Sequence, residues 1–297
     1  MWIIIEGIVI NKIQGFYNIE SNGKEYLCKL RGILKRSDKR ENCTVGDYVV
    51  FDEDGFITEV KPRKNLLRRP LVANIDFGVI QFAAKDPAID YGKINILILN
   101  SLYNKINPVL IINKVDLLSE DELKEIKNNL EYLSKIEIPV FYISTYENIG
   151  IEELTEFLKD RVTAFGGPSG VGKSSILNLL QDSRELKTGE TSNRLRAGKH
   201  TTRDSRLLTL PTGGFVIDTP GFSSVDLPPT EDAQELISLF PEFNLGEGCK
   251  FNNCVHINEP QCGIKKAVED GIIPKERYEF FKRCYEKSKN EIWNRYK

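Results

Sequence analysis

The sequence predicts a multidomain α/β chain: an N-terminal barrel of short strands, a mostly parallel sheet covered by helices, and a mainly helical C-terminal unit holding a metal. Three observations carry this expectation. Short strands with turn punctuation fill residues 2 to 61. Apolar strands alternate with helices from about residue 75, and after about Pro228 the strands stop and a cysteine cluster appears. Length alone, 297 residues, suggests about two domains. The shifts in pattern divide the chain at 1–68, 69–228 and 229–297.

Composition narrows the class. Forty per cent hydrophobic and 28% charged residues is the balance of a soluble protein able to bury a core in each unit. No apolar run approaches the roughly 18 residues of a membrane span, and the opening "MWIIIEGIVI" meets Glu6 too early for a secretory core. A cytoplasmic protein with no membrane partner is expected, acting as a monomer. Six cysteines are too sparse for a disulfide scaffold, and three of them fall within fourteen residues, which points to metal. The net charge of -2 hides an uneven spread: residues 1 to 70 hold 13 Lys+Arg against 10 Asp+Glu, and residues 263 to 297 hold 10 against 6. Basic ends around an acidic centre suggest an anionic partner gripped at both.

In the N-terminal unit the strands are "IIIEGIVINK", "GFYNIE", "KEYLCKL", "GDYVVF" and "FITEV", separated by clusters such as "SNG" and "DEDG". Five such strands fit a small closed sheet of the OB type. The stretch Cys28 to Arg40 carries six basic residues and one acid, a candidate contact for a phosphate backbone, with Phe16 and Tyr17 as stacking candidates. In the central unit "IDFGVIQFAA", "PVLIINK", "IPVFYIS", "VTAFGG" and "FVID" read as buried parallel strands. Helices are expected over about 87 to 104, 120 to 135, Ile151 to Leu158 and from Lys173 onward. In the C-terminal unit "TEDAQELISLF" reads as a helix capped by Thr230 and ended by Pro241. A last helix after Pro274 sets Tyr278, Phe281, Tyr285, Ile292 and Tyr296 in a packing stripe.

The stretch Gly167, Pro168, Ser169, Gly170, Val171, Gly172, Lys173, Ser174, with Ser175 after it, matches the phosphate-loop pattern G-x-x-x-x-G-K-[ST] between a strand and a helix. The glycines let backbone N–H groups curl around phosphates, Lys173 reaches the β- and γ-phosphates, and the Ser174 hydroxyl binds magnesium. At the end of "FVIDTPG", Asp218 would hold the magnesium shell and Gly221 would offer its N–H to a γ-phosphate. "NKVD", which is Asn113, Lys114, Val115 and Asp116, reads the base. A carboxylate there accepts from the guanine ring N–H and amino group, whereas adenine would leave it unpaired. Ser144 and Thr145, after the next strand, sit where a second base-contacting loop belongs. GTP and GDP are therefore the expected nucleotides.

These motifs stand in an unusual order, with the base reader at 113–116 and 144–145 ahead of the phosphate loop at 167–175. Joining a domain's neighbouring ends and cutting elsewhere preserves the packed sheet, so the expectation is a circularly permuted P-loop GTPase domain. The chain leaving "DTPG" then runs directly into the cysteine-rich unit, which would feel changes at the γ-phosphate. There Cys249, Cys254, His256 and Cys262 form C-x4-C-x-H-x5-C, a donor set for one tetrahedral, structural zinc with no open position. Cys28, Cys43 and Cys284 read as ordinary buried thiols.

Together "NKVDL", "GPSGVGKSSILN", "GKHTTR", "IDTPGF", "FPEF" and "CKFNNCVHINEPQCGIKKAVEDG" resemble the RsgA family of small-ribosomal-subunit biogenesis GTPases, over nearly the whole chain. The resemblance implies a GTPase that binds the small subunit late in its maturation through ribosomal RNA, hydrolyses GTP faster there, and then leaves. It also implies that Thr201 or Thr202 contacts magnesium and the γ-phosphate. Phe222 stands where many GTPases have a water-orienting glutamine. Phenylalanine cannot polarise water, so the catalytic group is expected from elsewhere in the chain, with His200 a candidate that could equally anchor its loop, or from the partner.

Overall fold

The computed structural model describes residues 4–34, 42–68, 70–182, 206–218 and 226–295. Strands β1 (Ile4–Ile13), β2 (Phe16–Ser21), β3 (Lys24–Leu30), β4 (Tyr48–Asp52) and β5 (Phe56–Val60) close into a barrel in the order β1-β2-β3-β5-β4. Its tight hairpins use Gln14-Gly15 and Asn22-Gly23, all four at positive φ, which matches the twist of two-residue turns. Alternation sends Val9, Ile19, Cys28, Val49, Phe51 and Ile57 inward. Tyr17 goes with them at 4% exposure, so it is a core residue and not a stacking platform. Its neighbour Phe16, 38% exposed, points out beneath the Lys29 ammonium, 4.7 Å from the ring centre. Of the basic stretch, residues 35–40 lie outside the described residues.

A small hairpin, β6 (Leu66–Arg68) with β7 (Leu71–Ala73), links the barrel to the central sheet. Its last residue donates from Ala73 N to Val45 O of the barrel at 2.9 Å. Six further strands form that sheet: β8 (Phe77–Ala83), β9 (Asn107–Asn113), β10 (Val140–Tyr142), β11 (Val162–Gly166), β12 (Leu208–Thr209) and β13 (Phe215–Asp218). Their order is β10-β9-β8-β11-β13-β12, and every neighbouring pair is parallel except β12 with β13.

Helices α1 (Tyr91–Tyr103), α2 (Glu120–Leu130), α3 (Tyr132–Lys135), α4 (Ile151–Leu158) and α5 (Lys173–Asp182) cover this sheet. Ile80, Phe82, Leu110 and Ile112 pack on one face with α1, α2 and the barrel residues Ile8 and Ile10. Val79, Val109, Ile111 and Phe165 pack on the other with Leu154 and Leu158 of α4 and Ile176 and Leu180 of α5. The expected helix over 120–135 is two, divided at Glu131. The first helix begins at Tyr91 instead of near 87, because the Asp90 side chain accepts from Lys93 N and caps it there.

After Asp218 no strand occurs among the described residues. Helices α6 (Ala233–Ser238), α7 (Gly263–Glu269) and α8 (Lys275–Arg295) pack with a 3-10 turn over Pro241–Leu245. Phe240, Phe243, Ile264 and Phe281 form their core, which includes Leu99 of α1. Thr230 does not cap α6: that helix starts two residues later, capped by Asp232, and the Thr230 hydroxyl instead lies 2.9 Å from Ser288 Oγ. Tyr278 and Phe281 are buried in this core with Tyr285 against it, as the stripe predicts, while Tyr296 lies outside the described residues. Cys28, Cys43 and Cys284 are buried thiols.

Candidate nucleotide site and metal centre

Parallel sheets bind ligands beyond the strand C-termini where the order of connections reverses. Here the chain runs from β8 outward to β9 and β10, then returns to β11 on the other side of β8. The reversal falls between β8 and β11, and Gly167 to Gly172 follow β11 at that point. The loop is pressed onto the sheet. A Cβ on Gly167, at φ 141°, would stand 2.1 Å from Gln81 O, and one on Gly172, at φ 92°, would stand 2.4 Å from Asn113 Nδ2. Gly170, at φ 81°, faces open space. Glycine is required at the first two by contact and by backbone conformation alike.

Lys173 opens α5, and its ammonium donates to Gly167 O and Pro168 O at 2.8 Å each, leaving a third N–H for an anion. Val171 is buried under the loop, while Ser169, Ser174 and Ser175 are exposed at its mouth. Asp218 ends β13 in register with Phe165 of β11 and is exposed on the same rim. Gly221, His200, Thr201, Thr202 and Phe222 lie outside the described residues.

The residues expected to read the base converge on this loop. Asn113, 1% exposed, donates from Nδ2 to Val171 O at 3.0 Å and accepts at Oδ1 from Thr145 N at 3.3 Å. The Ser144 hydroxyl, fully buried, donates to Asp116 Oδ1 and accepts from Glu147 N at 3.0 Å. Lys114 takes a left-handed backbone, φ 66°, and its ammonium donates to Asp86 O. Val115 is buried and donates from N to Ile143 O at 3.2 Å. Thus 113–116, 144–145 and 167–175 gather at one end of the sheet although 58 residues separate Asn113 from Val171. Sequence reading missed Gln81, which donates from Nε2 to the same Val171 O at 2.9 Å; a lone amide in an apolar strand, "VIQFAA", was the available signal.

Beyond the sheet, in the C-terminal unit, the ligand atoms of Cys249, Cys254, His256 and Cys262 all lie within 4.8 Å of one another. His256 Nδ1 is 3.7 Å from Cys249 Sγ and 3.4 Å from Cys262 Sγ. Bonds of about 2.3 Å to sulfur and 2.0 Å to nitrogen give tetrahedral edges of roughly 3.5–3.8 Å, so this donor set fits zinc. The surrounding chain fixes it. Glu259 accepts from Val255 N and Ile257 N at 2.9 and 3.0 Å, and Tyr278 donates its hydroxyl to His256 O at 2.5 Å. His256 has a left-handed backbone, φ 62°, and its ring meets Phe243 edge-on at 5.3 Å. Burial lowers the imidazole pKa, against an opposing push from Glu259, and so favours the neutral ring whose lone pair can bind metal.

The strand order and the reversed sequence of phosphate and base loops define a circularly permuted GTPase. Residues 60–228 match the family model for the RsgA GTPase and residues 6–56 that for the RsgA N-terminal domain. The protein named small ribosomal subunit biogenesis GTPase RsgA from Fusobacterium nucleatum is 57% identical over 278 residues, 94% of this chain and 98% of that one. Its namesake from Caldanaerobacter subterraneus is 39% identical over 298 residues, 99% of each. The crystal structure of YjeQ from Thermotoga maritima superposes with a TM-score of 0.82 at 34% identity, covering 96% of this chain and 99% of that one. That of YloQ, described as a circularly permuted GTPase, gives 0.81 at 30% identity, with 97% and 96% covered. The chain belongs to the RsgA GTPase family, and its reaction is the hydrolysis of GTP.

Proposed function

We propose that this protein binds the small ribosomal subunit through ribosomal RNA, assists its late maturation in the cytoplasm, and hydrolyses GTP when the subunit activates it. The observation that carries the reading is the shared carbonyl of Val171, where the base reader Asn113 grips the phosphate loop. Recognition of guanine and of phosphate are thereby one rigid unit, as a guanine-nucleotide hydrolase requires. The names of its relatives supply the assembly on which that hydrolysis acts.

In this reading Asp116 accepts from the guanine edge, Lys114 lies along the base, and Ser144 and Thr145 close the second side. The N–H groups of 167–175 and the Lys173 ammonium hold the phosphates. Magnesium would be held by Ser174, Asp218 and Thr201 or Thr202, and would supply charge neutralisation at the phosphates. With Phe222 unable to orient water, His200 or a group of the subunit completes the site. Zinc in the Cys3His shell is structural, since four protein ligands leave it no open position. The division at 1–68, 69–228 and 229–297 assigns RNA contact to the barrel, where Phe16 and Lys29 are outward, and to the basic C-terminal unit. The protein acts as a monomer.

The test is multiple-turnover GTP hydrolysis with and without isolated small subunits. Turnover alone should fall at about 10^-4 to 10^-2 per second, the range of GTPases that await an activator. Small subunits should raise it tenfold or more and large subunits should not. Several turnovers per second by the isolated protein, or equal stimulation by both subunits, would overturn the reading.

A further inference from the structure

Gln81 is fully buried on β8. Register explains what it faces. Odd positions of β8 and β9 point to one side of the sheet, and the pairings of Gln81 with Ile111 and Ala83 with Asn113 bring both amides beneath the phosphate loop. A carbonyl oxygen has two lone pairs, and here both are used: Gln81 Nε2 and Asn113 Nδ2 reach Val171 O at 2.9 and 3.0 Å. The peptide between Val171 and Gly172 is planar and trans, so its C=O and N–H point in opposite directions. Pulling the carbonyl down onto the sheet therefore aims the Gly172 N–H up into the cradle. Gly172 holds the φ of 92° that this orientation needs.

We infer that Gln81 is a positioning residue for nucleotide phosphates, a second tether that fixes the direction of the Gly172 N–H independently of the base reader. This rests on the reading of 167–175 as the phosphate cradle. A purely packing role does not account for it, because Gln81 Oε1 is buried with no hydrogen-bond partner among the described residues. An orphaned buried acceptor destabilises the fold, so an apolar residue would serve packing better. What the amide supplies is the donor to Val171 O.

The test measures GDP and guanosine affinity, by competition against a fluorescent GDP, for the parent, Gln81→Leu and Gln81→Glu. Gln81→Leu loses the tether and also the orphaned acceptor, so its melting temperature should equal or exceed the parent's. Its GDP affinity should nevertheless fall about threefold to tenfold, the worth of one hydrogen bond, while guanosine, which has no phosphate, binds unchanged. Gln81→Glu adds a pH profile. Burial favours the neutral acid, which donates to Val171 O at low pH, whereas the carboxylate that forms as pH rises cannot. Its GDP affinity relative to the parent should fall with rising pH. GDP affinity within twofold of the parent in Gln81→Leu, equal losses for GDP and guanosine, or a flat profile for Gln81→Glu would overturn the tether. Should the parent itself bind GDP no better than guanosine, it is the cradle reading that fails.

Discussion

Asp116 is held ready by its neighbour: the Ser144 hydroxyl donates to Oδ1, so the carboxylate is oriented before any base arrives. Removing the carboxylate by Asp116→Ala should lower GDP affinity by at least about 100-fold, since a site built on hydrogen bonds discriminates that strongly. Competition by ATP should not weaken in parallel, and a variant that still prefers GDP over ADP would contradict the assignment. Residues of this kind were legible in the sequence because their chemistry fixes their spacing. Lys173, Asn113, Cys249, Cys254, His256 and Cys262 stand at the intervals that phosphate, base and metal would impose, and the fold brings the residues of each group together. Gln81 has no such interval, and only the register of β8 against β9 reveals its task. Tyr17 departs from its expected role for a related reason: being one residue from an exposed aromatic in a strand puts a side chain on the opposite face.

Elements were legible where a period ran long enough to be seen. The five barrel strands and the parallel strands lie where alternation and apolar runs set them. The hairpin of Leu66–Arg68 with Leu71–Ala73 and the division at Glu131 were not, because three-residue strands and a single-turn break carry no period. Helix starts depend on single caps, and Asp90 offers a test. The Lys93 N–H holds its carboxyl below the ordinary range, against an opposing push from partial burial. A depressed native pKa stabilises the fold above the unfolded value, about 3.9, and this contribution is lost as pH falls through the native value. Asp90→Ala should therefore cost about 1 kcal/mol at pH 7, with a smaller difference from the parent in acid, once the carboxyl is protonated. Urea unfolding at pH 7 and in acid checks it, and an equal difference at both would remove the cap from the account.

Across the whole molecule, the C-terminal unit buries a charge pair of its own next to Tyr132 of the central unit. Arg277 of α8 donates from Nε to Glu242 at 2.5 Å, the two being 2% and 1% exposed. The guanidinium lies over Phe240 at 4.7 Å and reaches Tyr132 of α3 at 6.0 Å. Arg277→Met strands the Glu242 carboxylate in an apolar core and should destabilise the protein by about 3–5 kcal/mol. Pairing it with Glu242→Leu should recover most of that loss, as buried pairs replaced together by apolar residues are close to neutral. A double variant no more stable than the single one, by thermal unfolding, would show that the charge pair is not what matters. This pair was not legible in the sequence, where Glu242 and Arg277 stand 35 residues apart with nothing to relate them.

The strand order β10-β9-β8-β11-β13-β12 also has a consequence for how the chain is made. Within this sheet synthesis delivers β8, β9 and β10 first, and these three are neighbours in one half of it. That half carries Asn113 and Asp116 but no cradle. The partner for the other side of β8 is β11, which begins 79 residues after Ala83 ends β8. At about 5–20 residues per second, roughly 4 to 16 seconds pass in which the strand destined for the middle of the sheet is an open edge. Open edges invite pairing with other chains. A GTPase in the unpermuted order makes its phosphate loop near the start; a nascent chain of this one carries Asn113 to Asp116 well before Gly167 to Ser175, and its most exposed moment is the wait for Val162.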